Sequence, residues 1–167
     1  DNHIVGQNTL YDTESELDVQ LMSQTAENVE LWFWDEPLWL YSFATKFFNT
    51  ETVPDIISMS WGWSERDQCS ITKCNNETSE QYIYRVNVEY MKIGLRGVSI
   101  LVSSGDAGAP GRTNEDCSAD PNPDPNIKNV NPVFPASSPW VTSVSGTFIK
   151  QDNTTVNWDT YLCQHYG

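Results

Sequence analysis

The chain has 167 residues, of which 38% are hydrophobic and 12% aromatic, enough to bury a core and unlike the composition of a disordered protein. Its formal net charge is −14, with 23 acidic and nine basic residues. This balance argues against nucleic-acid binding, because phosphates are neutralised by clustered Lys and Arg. No apolar run approaches the ~20 residues that cross a bilayer, so the sequence predicts no membrane association.

The first predicted element is a helix that follows Thr13 and continues to about Gln24. Thr13 is a suitable N-cap, and acidic residues follow it where the helix dipole favours negative charge. We expect this helix to bury Leu17, Leu21 and Val19.

Strands and helices alternate along the rest of the chain. The predicted strands, each a short apolar run bounded by turn residues, span 31–34, 54–60, 98–102, 140–144 and a segment near 155–162. We expect the strand at 54–60 to be buried. A second helix starts at Glu36-Pro37 and includes Leu38, Tyr41 and Phe48 among its apolar positions.

The strongest helical pattern covers residues 79–96 and ends before Gly97. Its apolar residues recur at spacings of three and four: Ile83, Val86, Tyr90 and Ile93. Residues 64–78 and 110–132 are polar and are predicted to be loops. The order strand, helix, strand, helix, strand predicts an α/β fold with a parallel sheet and crossover helices.

Cysteines and sequons favour a secretory protein. Cys69 and Cys74 are close enough to form a small loop, although four cysteines allow three pairings. Asn76 and Asn153 each begin an N-glycosylation sequon. The chain also begins with Asp1 and not with Met. We therefore expect a processed protein that is secreted or resides in a lysosomal or acidic vacuolar compartment.

Two carboxylates near the N-terminus are candidates for acid–base chemistry. Glu14 and Asp18 are four residues apart, so a helix brings both to one face. A solvated acidic face is the ordinary explanation in so acidic a chain. The alternative is a coupled pair that shares a proton during catalysis.

A third acidic residue, Asp106, follows the strand at 98–102. Ligands of open α/β sheets bind outside the carboxyl ends of strands, which makes this position a candidate for chemistry. One interpretation is an ordinary turn-forming Asp between glycines. The other is a protonated carboxyl that donates a hydrogen bond to a developing oxyanion, which an ionised carboxylate cannot do.

Four motifs occur together in the chain: Glu14-Ser-Glu-Leu-Asp18-Val-Gln, Ser58-Met-Ser-Trp-Gly62, Ser104-Gly-Asp-Ala-Gly108 and Phe134-Pro-Ala-Ser-Ser-Pro-Trp-Val141. In this order they resemble the sedolisins, the serine-carboxyl peptidases that include tripeptidyl peptidase I. The resemblance runs from about residue 12 to residue 148. It implies a subtilisin-like fold, peptide hydrolysis in acid, and a chain (residues 1–167) that forms the N-terminal portion of the catalytic domain, with an incomplete sheet.

The resemblance also implies roles for individual residues. Glu14 would act as the general base, Asp18 would orient it, and Asp106 would be the oxyanion donor. The implied substrate-binding residues are Ser60, Trp61, Gly62, Ser104 and Gly105, and the stretches 58–63 and 103–105 around them would line the substrate cleft. Trp61 is either a donor behind the acid pair or a core aromatic.

The chain departs from the family at the nucleophile. Where the family has Ser in a Gly-Thr-Ser motif, the nearest segment here reads Gly146-Thr147-Phe148. The calcium-binding loop of the family has no counterpart either, so we expect no metal site in this chain. A second chain or a missing segment is expected to supply the serine and the calcium ligands for a peptide or protein substrate. The alternative is a non-catalytic binding or inhibitory module.

Overall fold

The computed structural model describes residues 3–5, 13–108 and 131–146. In chain order its elements are β1 (His3–Val5), α1 (Thr13–Thr25), β2 (Trp32–Trp34), α2 (Trp39–Asn49), β3 (Ile56–Met59), β4 (Trp63–Ser64), a 3-10 turn (Glu65–Asp67), α3 (Gln68–Ile71), α4 (Ser79–Leu95), β5 (Ser99–Ser103), β6 (Val133–Phe134) and β7 (Thr142–Val144).

The central sheet is parallel and has the strand order β3-β5-β7. Ile56 pairs with Ser99 at one end of the β3–β5 ladder, and Leu101 pairs with Thr142 where β7 begins. Two smaller ladders accompany this sheet: β1 lies parallel to β2, and β4 lies antiparallel to β6. The predicted α/β fold with a parallel sheet and flanking helices is confirmed.

The core lies between one face of the central sheet and the helix pair α2 and α4, which pack against each other. The fully or almost fully buried side chains include Phe47, Tyr82, Val86, Tyr90, Ile93, Val102 and Phe134. The periodicity predicted for the third helix is confirmed in α4. Thr78 caps this helix, and Gly97, with a φ of +84°, follows its end.

Strand β3 is half-buried, whereas complete burial was predicted for this segment. Ile57 faces the core with 7% exposure, but its neighbour Ile56 is 57% exposed. Side chains of a strand alternate between faces, and the described helices α2 and α4 cover only the face that carries Ile57, Ile100 and Val102.

The prediction that α1 buries its apolar side chains is wrong. Leu17, Val19 and Leu21 are 50%, 42% and 54% exposed, and α1 has no buried residue. Leu17 and Leu21 are neighbours on one helix face, but Val19 projects elsewhere and most of the other side chains of α1 are polar, so the apolar stripe is short.

The second helix begins later than predicted. Regular helix starts at Trp39, whose φ of +72° prevents the helical backbone from extending toward Pro37. Leu38 therefore lies outside the helix and is 65% exposed, which corrects its predicted apolar role. The carboxylate of Glu36 accepts a hydrogen bond from the Leu38 N–H at 3.1 Å and pairs with Lys46 at 2.6 Å.

The segment 64–78 is more ordered than the loop that its polarity predicts. It contains the end of β4, the 3-10 turn and α3, and the Cys69–Cys74 disulfide closes it. The sequence did not indicate this order, because the buried residue of α3 is polar. This residue is Gln68, which is fully buried. Nearly all of the predicted loop 110–132, the strand near 155–162 and Asn153 lie outside the described residues.

Candidate active site

A cleft of about 180 Å³ lies at the carboxyl ends of β3 and β5. Three segments form its walls: the residues after β3, the residues after β5, and the approach to β6. Helix α1 adds Glu14. Parallel strands end at the same edge of a sheet, which explains why segments far apart in the sequence meet here.

Two of the three candidate acids line this cleft. Glu14, which is partly exposed, reaches it from α1, and Asp106 reaches it from the turn after β5. Asp18 lies one helical turn beyond Glu14, is partly exposed and is not part of the cleft lining. The structure therefore brings together an acidic residue from each of two separate elements.

Four of the five residues singled out as substrate-binding also line the cleft: Ser60, Trp61, Gly62 and Gly105. Trp61 is 47% exposed and is not a core aromatic. Ser104 lies outside the lining. Its N–H donates to the Val144 carbonyl at 2.9 Å, and its hydroxyl donates to Ser145 Oγ at 3.3 Å, so it ties β5 to β7.

Val133 sets the positions of the two glycines in the cleft. A Cβ at Gly62 would lie 2.7 Å from Val133 Cγ1 and 3.0 Å from the Phe134 carbonyl oxygen. At Gly105 it would lie 3.3 Å from Val133 Cγ2, and the φ there is +97°. The turns after β3 and β5 thus pack directly against one side chain, which leaves little room for a larger residue at either glycine.

Buried polar side chains hold the floor of the cleft. The Ser64 hydroxyl donates to Asn131 Oδ1 at 2.7 Å, which joins β4 to the approach to β6. The Gln68 amide donates to the Trp63 and Ser64 carbonyls at 2.9 and 3.1 Å, and it accepts from Trp39 Nε1 at 2.9 Å. These bonds satisfy a buried amide and fix the backbone of β4.

Sequence reasoning missed four lining residues: Ser64, Ala107, Asn131 and Val133. The last two belong to the approach to β6, which pairs with β4 through only two residues. Such a short ladder produces no periodic pattern, so the sequence carried no signal for it.

Within the part of the chain that the structure describes, no three His, Cys, Asp or Glu side chains form a group that could hold a metal ion. The described residues thus contain no cluster of three carboxylates of the kind that calcium prefers. None of the described helices is both long and apolar enough to cross a membrane.

Comparison with known proteins identifies relatives of this chain. It is 44% identical to Physarolisin from Physarum polycephalum over 144 residues, which is 86% of this chain and 24% of Physarolisin. It is 30% identical to human Tripeptidyl-peptidase 1 over 153 residues, 83% of this chain and 22% of that protein. The chain thus spans about a quarter of the length of these relatives. No family model matches it.

One solved structure supports the fold. Pseudomonas sedolisin, a serine-carboxyl proteinase solved with two molecules of pseudo-iodotyrostatin, superposes with a TM-score of 0.62 and 20% sequence identity. The match covers 91% of this chain and 41% of that chain. At this identity the likeness concerns the fold alone.

Proposed function

Because the chain belongs to the sedolisin family, we propose that it forms part of the catalytic domain of an acid-acting serine peptidase that hydrolyses peptide bonds. The observation that carries this proposal is the convergence of Glu14 and Asp106 on one cleft at the ends of β3 and β5. An acid that accepts protons and an acid that donates a hydrogen bond are what acyl transfer at low pH needs.

In this proposal Glu14 is the general base. It accepts the proton of the nucleophilic hydroxyl as that oxygen attacks the substrate carbonyl carbon, and later returns it to the leaving amine. Asp18 lies four residues further along α1 and shares the face of Glu14. We assign it the task of orienting Glu14 and sharing the charge that develops there.

Asp106 is the oxyanion donor. The positive φ of Gly105 forms the turn that presents this side chain to the cleft. A protonated carboxyl donates a hydrogen bond to the negative oxygen of the tetrahedral intermediate, whereas an ionised one repels it. The need for a protonated carboxyl at this position is the physical reason why the proposed enzyme would act in acid.

The nucleophilic serine is proposed to come from polypeptide outside these 167 residues, either a second chain or a further segment. Among the serines in the cleft, Ser64 is buried and donates its hydroxyl proton to Asn131, which supports a structural role for it. Calcium, which the family resemblance implies, is likewise assigned to polypeptide outside these 167 residues.

Peptides or proteins are the proposed substrates, and a secreted, lysosomal or acidic vacuolar setting is the proposed location. The Cys69–Cys74 disulfide supports this location, because disulfides persist in oxidising compartments and are rare in the cytosol.

The test uses the full-length enzyme with Asp106→Ala and Asp106→Asn. We expect Asp106→Ala to lose roughly 10²–10³ in kcat, the usual contribution of one oxyanion donor. Asp106→Asn keeps an N–H donor that does not depend on protonation, so its activity should extend to higher pH. Asp55→Ala, which removes an exposed carboxylate before β3, is the control and should leave activity unchanged.

Equal activity of wild type and both Asp106 variants would remove this residue from the mechanism. A full-length protein that hydrolyses no peptide at about pH 3–5, where carboxyl groups titrate, would favour the alternative of a non-catalytic binding or inhibitory module.

A further inference from the structure

A second depression, of about 940 Å³, lies on a different part of the surface. The approach to α2, the disulfide-closed loop after α3, and the first turns of α4 enclose it. None of its lining residues belongs to the active-site cleft. We call this depression the Asn76 groove, after the residue at its rim.

Asn76 is held in a fixed position at this rim. It is exposed and adopts a φ of +73°, next to Asn75 with a φ of +50°. The Glu77 N–H closes the turn by donating to the Cys74 carbonyl at 2.9 Å. The disulfide precedes this turn and the capped start of α4 follows it, so the backbone is constrained on both sides.

The groove combines apolar surface with an aromatic ring and an ion pair. Leu38 and Ile71 are 65% and 39% exposed. The Arg85 guanidinium lies 3.9 Å from the centroid of the Tyr41 ring and pairs with Glu77 at 2.8 Å. A sugar ring has an apolar C–H face and a hydroxyl edge, which match an aliphatic and aromatic floor with a polar rim.

We propose that Asn76 carries an N-linked glycan and that the proximal sugars of this glycan occupy the Asn76 groove. The sequon Asn76-Glu77-Thr78 provides the covalent tether. Because Asn76 itself lines the groove, the tether holds the first sugars at high effective concentration over the exposed Leu38 and Ile71. Even weak packing against these two side chains is then enough to keep the sugars in the groove.

Thr78 belongs to the sequon and also caps α4, so Asn76 is the better residue to mutate when the glycan is to be removed. Its hydroxyl accepts a hydrogen bond from the Gln81 N–H at 3.2 Å, and the Gln81 side chain accepts from the Thr78 N–H at 2.9 Å. Removing Thr78 would damage the helix cap as well as the sequon. Asn76→Gln removes the glycan acceptor and leaves the helix cap intact, and Thr78→Ser keeps both functions.

The first measurement is peptide mapping of the full-length protein secreted from eukaryotic cells. We expect a glycan at Asn76 in the wild type and in Thr78→Ser, and none in Asn76→Gln. An unmodified Asn76 in the secreted wild type would overturn the proposal.

The second measurement is the rate at which a peptide-N-glycosidase releases this glycan from the native protein. Seated sugars shield the bond to Asn76, so release should be roughly tenfold faster in Leu38→Ser and Ile71→Ser, which lack the apolar contact. After denaturation all rates should be equal. Leu95→Ser, which changes an 83% exposed leucine outside the groove, should behave as the wild type.

Equal native release rates in the wild type and both groove variants would show that the sugars do not occupy the groove. Leu38→Ser should change the thermal midpoint little, because Leu38 is 65% exposed, whereas Ile71→Ser should lower it, because Ile71 is only 39% exposed. Release rates are therefore measured well below both midpoints, and faster release by Leu38→Ser with an unchanged midpoint separates shielding from loss of fold.

Discussion

Gln68 is expected to be one of the largest single polar contributors to stability among the described residues. Its side chain is fully buried and makes three hydrogen bonds, one with Trp39 Nε1 and two with the carbonyls of Trp63 and Ser64. Gln68→Met keeps the size of the side chain but removes every bond. A lost neutral hydrogen bond costs about 0.5–1.5 kcal/mol, and more where the partner stays buried.

We therefore expect Gln68→Met to lower the free energy of unfolding by about 2–5 kcal/mol. Urea denaturation followed by tryptophan fluorescence measures this change. Gln20→Met is the matched control, because Gln20 is exposed on α1 and methionine is a good helix former. It should change stability by less than about 0.5 kcal/mol. A Gln68→Met variant as stable as the control would refute the reasoning.

Gln68→Glu separates the donor bonds from the acceptor bond. An ionised Glu still accepts from Trp39 but has no proton to donate to the Trp63 and Ser64 carbonyls. At neutral pH Gln68→Glu should lose more free energy of unfolding than Gln68→Met, because it buries a charge. This loss should become smaller at low pH, as the introduced carboxyl becomes protonated.

Three further predictions concern single positions. Gly62→Ala should cost about 1–3 kcal/mol by chemical denaturation, because its Cβ would lie 2.7 Å from Val133 Cγ1, and adding Val133→Ala should recover part of this loss. Thr78→Ala should cost about 1 kcal/mol through the lost helix cap, whereas Thr78→Ser should stay near wild type. Burial raises the pKa of Tyr90 above its ordinary value of 10.0. As the pH rises, Tyr90 therefore ionises in the unfolded chain before it ionises in the folded one. The free energy of unfolding is unaffected by this residue below about pH 10 and decreases above that pH. Tyr90→Phe should reduce the slope of the free energy of unfolding against pH by about 1.4 kcal/mol per pH unit in this range, and an unchanged slope would contradict the assignment.

The elements that the sequence predicted well are those whose pattern reflects burial. Helix α4 buries Val86, Tyr90 and Ile93 at the predicted spacing, and β5 alternates its buried Ile100 and Val102 with less buried neighbours. The candidate acids Glu14 and Asp106 also came from sequence, because a strand end and a helix start are local features.

The parts that the sequence did not predict depend on long-range packing. Asn131 and Val133 reach the cleft through a two-residue ladder that joins β4 to β6, more than sixty residues apart in the chain. Gln68 is polar and yet fully buried, which a hydrophobic pattern cannot reveal. Conversely, Leu17 and Leu21 are apolar and yet exposed, because the described elements leave them uncovered.

The exposure of α1 has a consequence for dynamics. The helix that carries Glu14 has no buried residue, so its separation from the rest of this chain exposes little additional apolar surface. Opening of α1 should therefore require far less free energy than global unfolding, and its amide hydrogens should exchange before those of α4. Such opening would displace Glu14 while the turn that carries Asp106 stays on the sheet. We therefore expect Glu14 and Asp106 to lie in regions of different local stability, which hydrogen exchange would reveal.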